Sequence, residues 1–236
     1  ESYDDIIVGL HVPKRFDKIL NINQCHINHE IFNQILAIVK QVSNTEKMIA
    51  YDVVKHTGFL RYLVLRVGMH TNELMVNFVT SGFNSELMNQ FKEKILATIQ
   101  NIKSIVNTIN DKKNNTAKGN TKTIYGRSYI NENIGDYIFK ISPNSFFQTN
   151  SYQVKTLYDY IVEIADFNKN DIVYDLYCGT GTIGIYISSF VKKVYGVELV
   201  KEAIEDAKFN AKMNRASNTH FYTSDIKGFF NQNKLD

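Results

Sequence analysis

A glycine-rich loop at residues 175–182, Asp-Leu-Tyr-Cys-Gly-Thr-Gly-Thr, holds the residue types best suited to chemistry. Gly179, Gly181 and Gly184 have the GxGxxG spacing, and Glu198 closes the apolar segment that follows. Glycines let the backbone approach a ligand closely. A carboxylate at the end of the second strand accepts hydrogen bonds from the ribose hydroxyls of such a ligand. The pattern predicts a site for a nucleotide-like cofactor.

The residues at the start of the loop bear on which cofactor binds. A dinucleotide such as NAD is one candidate, because the glycine spacing satisfies its fingerprint. However, Asp175 precedes the first glycine by three intervening residues, whereas dinucleotide loops usually turn on glycine directly after an apolar strand. That extra length favours a ligand whose amino-acid end needs polar partners over a pyrophosphate at a helix N-terminus.

These residues need a scaffold, and the hydrophobic pattern from Ser151 onward predicts alternating helices and strands. The expected elements are a helix around 154–162, strands at 172–175, 193–197 and 220–222, and helices at 183–190 and 200–214. This order is typical of a parallel sheet with right-handed crossovers, here an α/β Rossmann-like domain. Because only three strands precede Asp236, we expect an incomplete sheet with an unpaired first strand, in a protein that continues further.

The preceding part of the chain has the pattern of an α+β domain. Strand-like segments at 59–68 and 73–80 flank a turn at 69–72 and predict a hairpin. An amphipathic helix is expected on each side of the hairpin. Their predicted N-caps are Asn28 for the first and Asn84 or Ser85 for the second.

The polar segment 107–122 predicts a surface loop, because it is rich in Asn, Lys and Thr. Strand character resumes at 123–126 and 137–141, ahead of the helix-rich part. We therefore predict an α+β central domain at 1–141, which would contact RNA if the protein binds it. The first half of the Rossmann-like domain is predicted at 142–236.

Net charge is +3 and unevenly distributed. Residues 1–125 hold 15 Lys/Arg against 11 Asp/Glu, a net charge of +4, and residues 126–236 hold 12 against 13, a net charge of −1. The first half is therefore suited to a polyanion such as nucleic acid, although scattered solvated lysines would give the same bias.

The two cysteines, Cys25 and Cys178, lie far apart, so neither a disulfide framework nor a metal-ligand spacing is present. A reducing cytoplasm is the expected compartment. The apolar runs are too short to cross a bilayer, so no membrane partner is expected. The first five residues contain neither a secretory signal nor an initiator methionine, and we expect the numbering to begin inside a longer protein.

Three segments together resemble the RNA (uracil-C5)-methyltransferase family of class I methyltransferases. They are the loop at 175–184 followed by Gly-Val-Glu at 196–198, the segment Ile-Ser-Pro-Asn-Ser-Phe-Phe-Gln-Thr-Asn at 141–150, and the hairpin strand at 60–66. The resemblance implies S-adenosylmethionine as cofactor and methylation of uridine C5 in RNA by a full-length monomer. Ribosomal RNA, specifically 23S, is favoured over tRNA, because Cys25 and the hairpin look more like the ribosomal branch.

The resemblance also implies which residues contact the cofactor. They are Gln148, Tyr177, Gly179, Thr182, Glu198 and Asp225. Local chemistry agrees for Glu198 and for Asp225, which follows the third strand, where an acid can bond an adenine amino group. Three structural alternatives stay open: Gln148 as a cap of the helix near Ser151, Asp225 as an N-cap before Ile226, and Glu198 as part of a solvated turn.

Uracil C5 is too weak a nucleophile to take a methyl group unaided. In the family that this chain resembles, a cysteine thiolate adds at C6 and a carboxylate removes the C5 proton. Cys178 is expected to be a buried, neutral thiol. Cys25 matches the last iron–sulfur ligand of cluster-bearing relatives, or is a structural thiol. We expect the catalytic Cys and Glu beyond residue 236, so that this chain alone binds cofactor weakly and does not methylate RNA.

RNA contacts are expected around the hairpin, from Lys55, His56, Arg61 and Arg66, unless these are solvated strand residues. Other functions remain open. One is a methyltransferase of another substrate class, and another is an RNA-binding remnant without catalysis. An NAD-dependent oxidoreductase follows if the glycine loop binds a dinucleotide.

Overall fold

The computed structural model describes residues 6–232 and contains two compact units. Unit 1 comprises the described residues up to Val67 together with Glu73–Tyr129, and unit 2 comprises Gly68–Asn72 and the residues from Ile130 onward. The division at Tyr129 comes earlier than the predicted domain boundary at 141. The first five residues, on which the expectation of no leader rests, lie outside the description.

Unit 1 contains a four-stranded mixed sheet with two helices and a separate two-stranded hairpin. Its elements are β1 (Gly9–Val12), β2 (Arg15–Asn21), α1 (Glu30–Thr45), β3 (Leu60–Val67), β4 (Leu74–Thr80), α2 (Ser85–Thr98), β5 (Ile102–Ile109) and β6 (Asn120–Gly126). The sheet order is β3-β4-β5-β6, in which only β4 and β5 run parallel. The predicted hairpin is confirmed as β3 and β4.

The core of unit 1 forms where the helices cover the sheet. All seven residues of β4 are buried, and Phe78 stacks on Phe91 of α2 with ring centroids 4.4 Å apart. The predicted cap of α2 is confirmed, since the Asn84 side chain accepts hydrogen bonds from two N–H groups of the first turn. The prediction of Asn28 for α1 is wrong: the helix is capped by His29, whose Nδ1 accepts from Ile31 N.

The predicted loop at 107–122 is too long at both ends. The structure continues β5 to Ile109 and begins β6 at Asn120. Asn107 is fully buried in β5, and its amide donates to Phe78 O at 2.7 Å and Thr80 Oγ1 at 2.8 Å. Polar composition concealed a strand here, because the amide hydrogen bonds lie inside the sheet.

Unit 2 has the predicted alternation of helices and strands. Its elements are β7 (Ile130–Ile134), β8 (Tyr137–Ile141), α3 (Ser151–Ala165), β9 (Ile172–Leu176), α4 (Thr182–Ile187), β10 (Lys193–Glu198), α5 (Lys201–Met213), β11 (Thr219–Thr223) and α6 (Ile226–Gln232). The helix expected over 183–190 ends at Ile187 and is followed by a 3-10 turn at Ser188–Phe190.

The three later strands of unit 2 form an all-parallel sheet in the order β11-β10-β9, which confirms the predicted three-stranded parallel sheet with β9 at an edge. In a parallel sheet the carboxyl ends of the strands meet along one side, where ligands bind in open α/β folds. Among residues 6–232, no helix is both long and apolar enough to traverse a bilayer.

Candidate cofactor site

The glycines of the loop between β9 and α4 differ in what surrounds them. Gly179 has φ +53°, and a Cβ added there would meet no atom within 4 Å, so one side of the loop is open. Gly181, with φ +77°, is closed behind: a Cβ would lie 2.7 Å from Cζ of Phe221. At Gly196 of β10 the distance to Cε1 of the same ring would be 2.6 Å. The Phe221 ring therefore packs against Gly181 of the loop and Gly196 of β10, while the backbone at Gly179 stays open to a ligand.

Tyr177 stands at the start of the loop in a strained conformation. Its φ is +130°, a value that favours glycine, and 81% of its surface is exposed. The N–H groups of Tyr177 and Cys178 both donate to Val197 O, at 3.0 and 3.1 Å, and hold the turn. Such strain costs about 1–3 kcal/mol and clusters at functional sites.

Glu198 ends β10 with its carboxylate held by the backbone. Oε1 accepts from Leu199 N at 2.8 Å and Val200 N at 3.0 Å, and Oε2 accepts from Gly179 N at 3.3 Å. These bonds connect the ends of β9 and β10. The two from Leu199 and Val200 are also the local caps of a turn, so the alternative of Glu198 as part of a solvated turn stays open. Since the bond from Gly179 is long, Oε2 retains capacity for a ligand hydroxyl.

Asp175, the last acidic residue of β9, is largely buried beside this carboxylate. The pKa of Asp175 is raised from 3.8 to about 6, mainly because of burial and to a smaller extent because of the charge of Glu198, while the N–H of Gly184 acts in the opposite direction. Its Oδ2 is buried without a hydrogen-bond partner. A buried carboxylate oxygen in that state costs stability unless a cation or donor reaches it.

Cys178 is buried, and its Sγ lies beside Gly196 of β10. Burial, followed by the charges of Asp175 and Glu198, raises the pKa of the Cys178 thiol far above its usual range. Its thiol is a weak donor, and its Sγ lies 3.8 Å from Gly179 O. Because the thiolate is the reactive form, the environment agrees with the expectation that Cys178 is structural.

Two other expected cofactor residues already have partners in the protein. The Thr182 hydroxyl lies 2.8 Å from the hydroxyl of Tyr158, a buried residue of α3. Oδ1 of Asp225 accepts from Gly228 N at 2.6 Å and caps α6, as the structural alternative predicted. The residue is exposed, and the cap uses one of its two carboxylate oxygens.

Gln148 precedes α3 in the segment at 142–150. This segment starts with a tight turn, in which the Ser145 hydroxyl accepts from Ser142 N at 3.0 Å. Phe147 is buried and packs near Phe139, whereas Gln148 is exposed. The cap of α3 is Asn150 and has no side-chain hydrogen bond, so Gln148 does not cap that helix.

The structure brings most of the expected cofactor residues to one edge of the sheet. Gly179 N donates to the Glu198 carboxylate, and Tyr177 N donates to Val197 O, the residue before Glu198. Ser224 N donates to Glu198 O at 3.1 Å, next to Asp225. Within residues 6–232, no hydrogen bond joins Gln148 to this group. The cofactor contacts of all six residues remain predictions.

Sequence reasoning missed Asn210 of α5, which supports the loop from outside the motif. Its amide nitrogen donates to Thr180 O at 3.1 Å, and its oxygen accepts from Lys140 N of β8 at 2.8 Å. It is fully buried. The local signal was an asparagine on the apolar face of an amphipathic helix. That pattern does not indicate which distant residues the asparagine contacts.

The residues expected to contact RNA have mixed environments in unit 1. The side chain of Lys55 is 78% exposed. The guanidinium of Arg61 is instead bound by main-chain carbonyls, and burial lowers the pKa of Arg66. Of these cations, Lys55 is free to meet solvent, whereas Arg61 already has structural partners.

The chain matches the family model described as tRNA (Uracil-5-)-methyltransferase over residues 13–227. An RNA methyltransferase of Chlorobaculum tepidum, described as uncharacterized, is 39% identical over 224 residues, 94% of this chain and 46% of that protein. Another so described, from Oceanobacillus iheyensis, is 41% identical over 223 residues, 94% of this chain and 48% of that protein. The chain spans about half the length of the curated relatives it matches.

Among solved structures, the fold is similar to a crystal structure of Pyrococcus abyssi tRNA (uracil-54, C5)-methyltransferase in complex with S-adenosyl-L-homocysteine. The TM-score is 0.74 at 32% identity, with 87% of this chain and 50% of that chain covered. This likeness confirms the Rossmann-like fold class that the sequence predicted.

Proposed function

The chain belongs to the tRNA (uracil-5-)-methyltransferase family, and we propose that it serves in the S-adenosylmethionine-dependent methylation of uridine C5 in RNA. The cofactor assignment rests on two features of one loop. Gly179 has open space beside its backbone, and the buried Oδ2 of Asp175 has no hydrogen-bond partner. S-adenosylmethionine, when bound, supplies an activated methyl group on a sulfonium.

The residues of the loop suit the parts of that cofactor. The ammonium of the methionine end would satisfy Oδ2 of Asp175, and the ribose hydroxyls would reach the Glu198 carboxylate. Tyr177 offers an exposed ring beside Gly179. The roles of Gln148, Thr182 and Asp225 follow from the family resemblance. Thr182 would contact the cofactor while keeping its hydrogen bond to Tyr158, or would replace that bond with one to the cofactor.

Charge argues against the dinucleotide alternative. Asp175 and Glu198 bring two carboxylates to the ends of adjacent strands. A pyrophosphate placed against this loop would face like charge in a low-dielectric setting, whereas an ammonium and a sulfonium would face opposite charge. The site therefore favours a cationic ligand end.

Methylation at C5 needs a thiolate, and neither cysteine of this chain is assigned that role. Cys178 is buried with a raised pKa. Cys25 has its backbone held by Asn33, which accepts from Cys25 N at 2.9 Å. We keep the prediction that the catalytic cysteine and glutamate belong to another part of the protein.

For the substrate, we favour 23S ribosomal RNA, because Cys25 and the strand at 60–66 resemble the ribosomal branch of the family. tRNA is the second candidate, since the family description and the Pyrococcus abyssi structure both name it. A cytoplasmic location and a monomeric full-length protein stay predictions.

The test compares RNA from cells with and without the gene that encodes this chain. Ribosomal and transfer RNA are separated and digested, and 5-methyluridine is measured by mass spectrometry. We expect 23S RNA to lose 5-methyluridine and re-expression to restore it. Loss from tRNA alone would reject the ribosomal preference, and unchanged 5-methyluridine in both pools would contradict the proposed function.

A further inference from the structure

Arg61 of β3 binds the main chain of a loop that follows β5. Its Nη1 donates to Asn110 O at 2.7 Å and to Lys112 O at 2.8 Å, and its Nη2 donates to Asn114 O. The guanidinium also lies over the ring of Tyr51, 4.0 Å from the centroid. One side chain therefore gathers three carbonyls of residues 110–119, which we call the clamped loop.

Further hydrogen bonds order the clamped loop. Tyr62, next to Arg61 on β3, donates its hydroxyl to Oδ1 of Asn115. Within the loop, the Asn110 amide donates to Asn114 Oδ1 at 2.9 Å and to Thr116 O at 2.7 Å. These hydrogen bonds hold the polar residues of the clamped loop in one defined conformation.

The clamped loop carries an excess of positive charge. Lys112, Lys113 and Lys118 are exposed, Asp111 is its one acid, and the three lysines form no ion pair with a carboxylate of residues 6–232. Arg61, which binds the carbonyls of the loop, adds a fourth positive charge. Ordering like charges together opposes folding, and a bound polyanion would offset that cost.

We propose that the clamped loop binds the phosphate backbone of the RNA substrate, with Arg61 acting as a positioning residue that presents the three lysines. This rests on the proposed function, which supplies RNA as the partner. It replaces the expectation that Arg61 itself touches phosphate. Lysines presented from an ordered loop lose less entropy on binding than lysines from a disordered one.

The first test neutralises the lysines in a triple variant, Lys112→Gln, Lys113→Gln and Lys118→Gln. Its matched control changes three exposed helical lysines, Lys94→Gln, Lys208→Gln and Lys212→Gln. Binding to a transcribed stem–loop RNA is measured across salt concentrations. We expect the slope of log K against log salt to fall by about three units in the loop variant, one per phosphate contact, and the control to fall less. Equal slopes in both variants overturn the proposal.

The second test separates positioning from charge. Arg61→Lys keeps the net charge but replaces the planar fork, which reaches the carbonyls from two nitrogens, with a single ammonium nitrogen. We therefore expect weaker RNA binding and faster tryptic cleavage after Lys112 and Lys113. Faster cleavage with unchanged RNA affinity would remove Arg61 from any role in binding. A thermal shift with S-adenosylhomocysteine, raised to a concentration that would saturate a weak site and run on every variant, reports on the proposed function independently. The absence of any shift in the unmodified chain would reject the cofactor and leave the loop result standing.

Discussion

At the scale of single residues, the buried Asp175 makes the stability of the fold depend on pH. Folding raises its pKa from 3.8 to about 6, so the native state holds the proton more tightly than the unfolded chain. The favourable contribution is complete below about pH 4 and is lost as pH rises to about 6, a change on the order of 3 kcal/mol. The site at neutral pH therefore contains an ionised carboxylate that destabilises the fold.

Asp175→Asn should raise the free energy of unfolding, with a gain that increases from pH 5 to pH 8 and approaches about 3 kcal/mol. The same variant should bind S-adenosylhomocysteine more weakly, because the charge that meets the ammonium is gone. Urea denaturation at both pH values measures the first effect. Asp136→Asn, at an exposed position of unit 2, is the control. A gain independent of pH would disprove the assignment of Asp175.

Gly196 gives a second prediction at this scale. An added methyl group would press against the Phe221 ring and lie 3.0 Å from Cys178 Sγ. Gly196→Ala should therefore destabilise by about 1–3 kcal/mol through overpacking. Gly82→Ala, where a Cβ meets nothing within 4 Å, should change stability little. Equal melting temperatures for the two variants would show that Phe221 does not support the loop.

The types of the site residues were predictable because they lie in short, local motifs. Glycines at 179 and 181 need positive φ, and the structure has it at both. The raised pKa of Asp175 was not predictable, since it depends on burial by residues distant in sequence. Nor was the partner of Thr182, because Tyr158 comes from the preceding helix.

At the scale of elements, α5 and Asn214, the residue that caps its C-terminus, hydrogen bond to the backbone of β8 much as a neighbouring strand would. Asn214 accepts from Ile138 N at 2.8 Å and donates to Ile138 O at 2.7 Å, and one turn earlier Asn210 accepts from Lys140 N. Lys140 also pairs with Asp206 of the same helix at 2.7 Å. This contact explains why β7 and β8 group with unit 2.

Asn210→Ala should destabilise unit 2 by about 2–4 kcal/mol, because it removes the partners of the buried Thr180 O and the part-buried Lys140 N. Asn231→Ala, at an exposed position of α6, should change stability by less than about 0.5 kcal/mol. Chemical denaturation of both variants makes the comparison. A small effect at Asn210 would mean that water replaces its bonds and that α5 does not fasten the loop.

Elements were predicted well where periodicity and burial agree, as in α2, α3 and the three parallel strands. They were missed where polar side chains are satisfied inside the sheet. Asn107 made β5 look like a loop, and the exposed hairpin of β1 and β2 has no clear alternation of buried and exposed residues. Hydrogen bonds across the chain decide such cases, and local composition does not contain them.

At the scale of the whole molecule, the expected roles fall in different compact units. The cofactor residues from Gln148 to Asp225 all belong to unit 2, and the clamped loop belongs to unit 1. The ordering of the loop by Arg61 was not anticipated, because residues 61 and 114 are far apart in the chain.

We propose that Glu198, at the edge of the parallel sheet, holds S-adenosylmethionine. The test is calorimetric titration of the chain with S-adenosylhomocysteine and with NAD, repeated on Glu198→Gln with its melting temperature checked. We predict that the chain binds S-adenosylhomocysteine but not NAD. The substitution should weaken this binding at least about tenfold, which corresponds to the loss of one hydrogen bond to a charged group. NAD binding as tight as that of S-adenosylhomocysteine, or an unaltered affinity in Glu198→Gln, would contradict it.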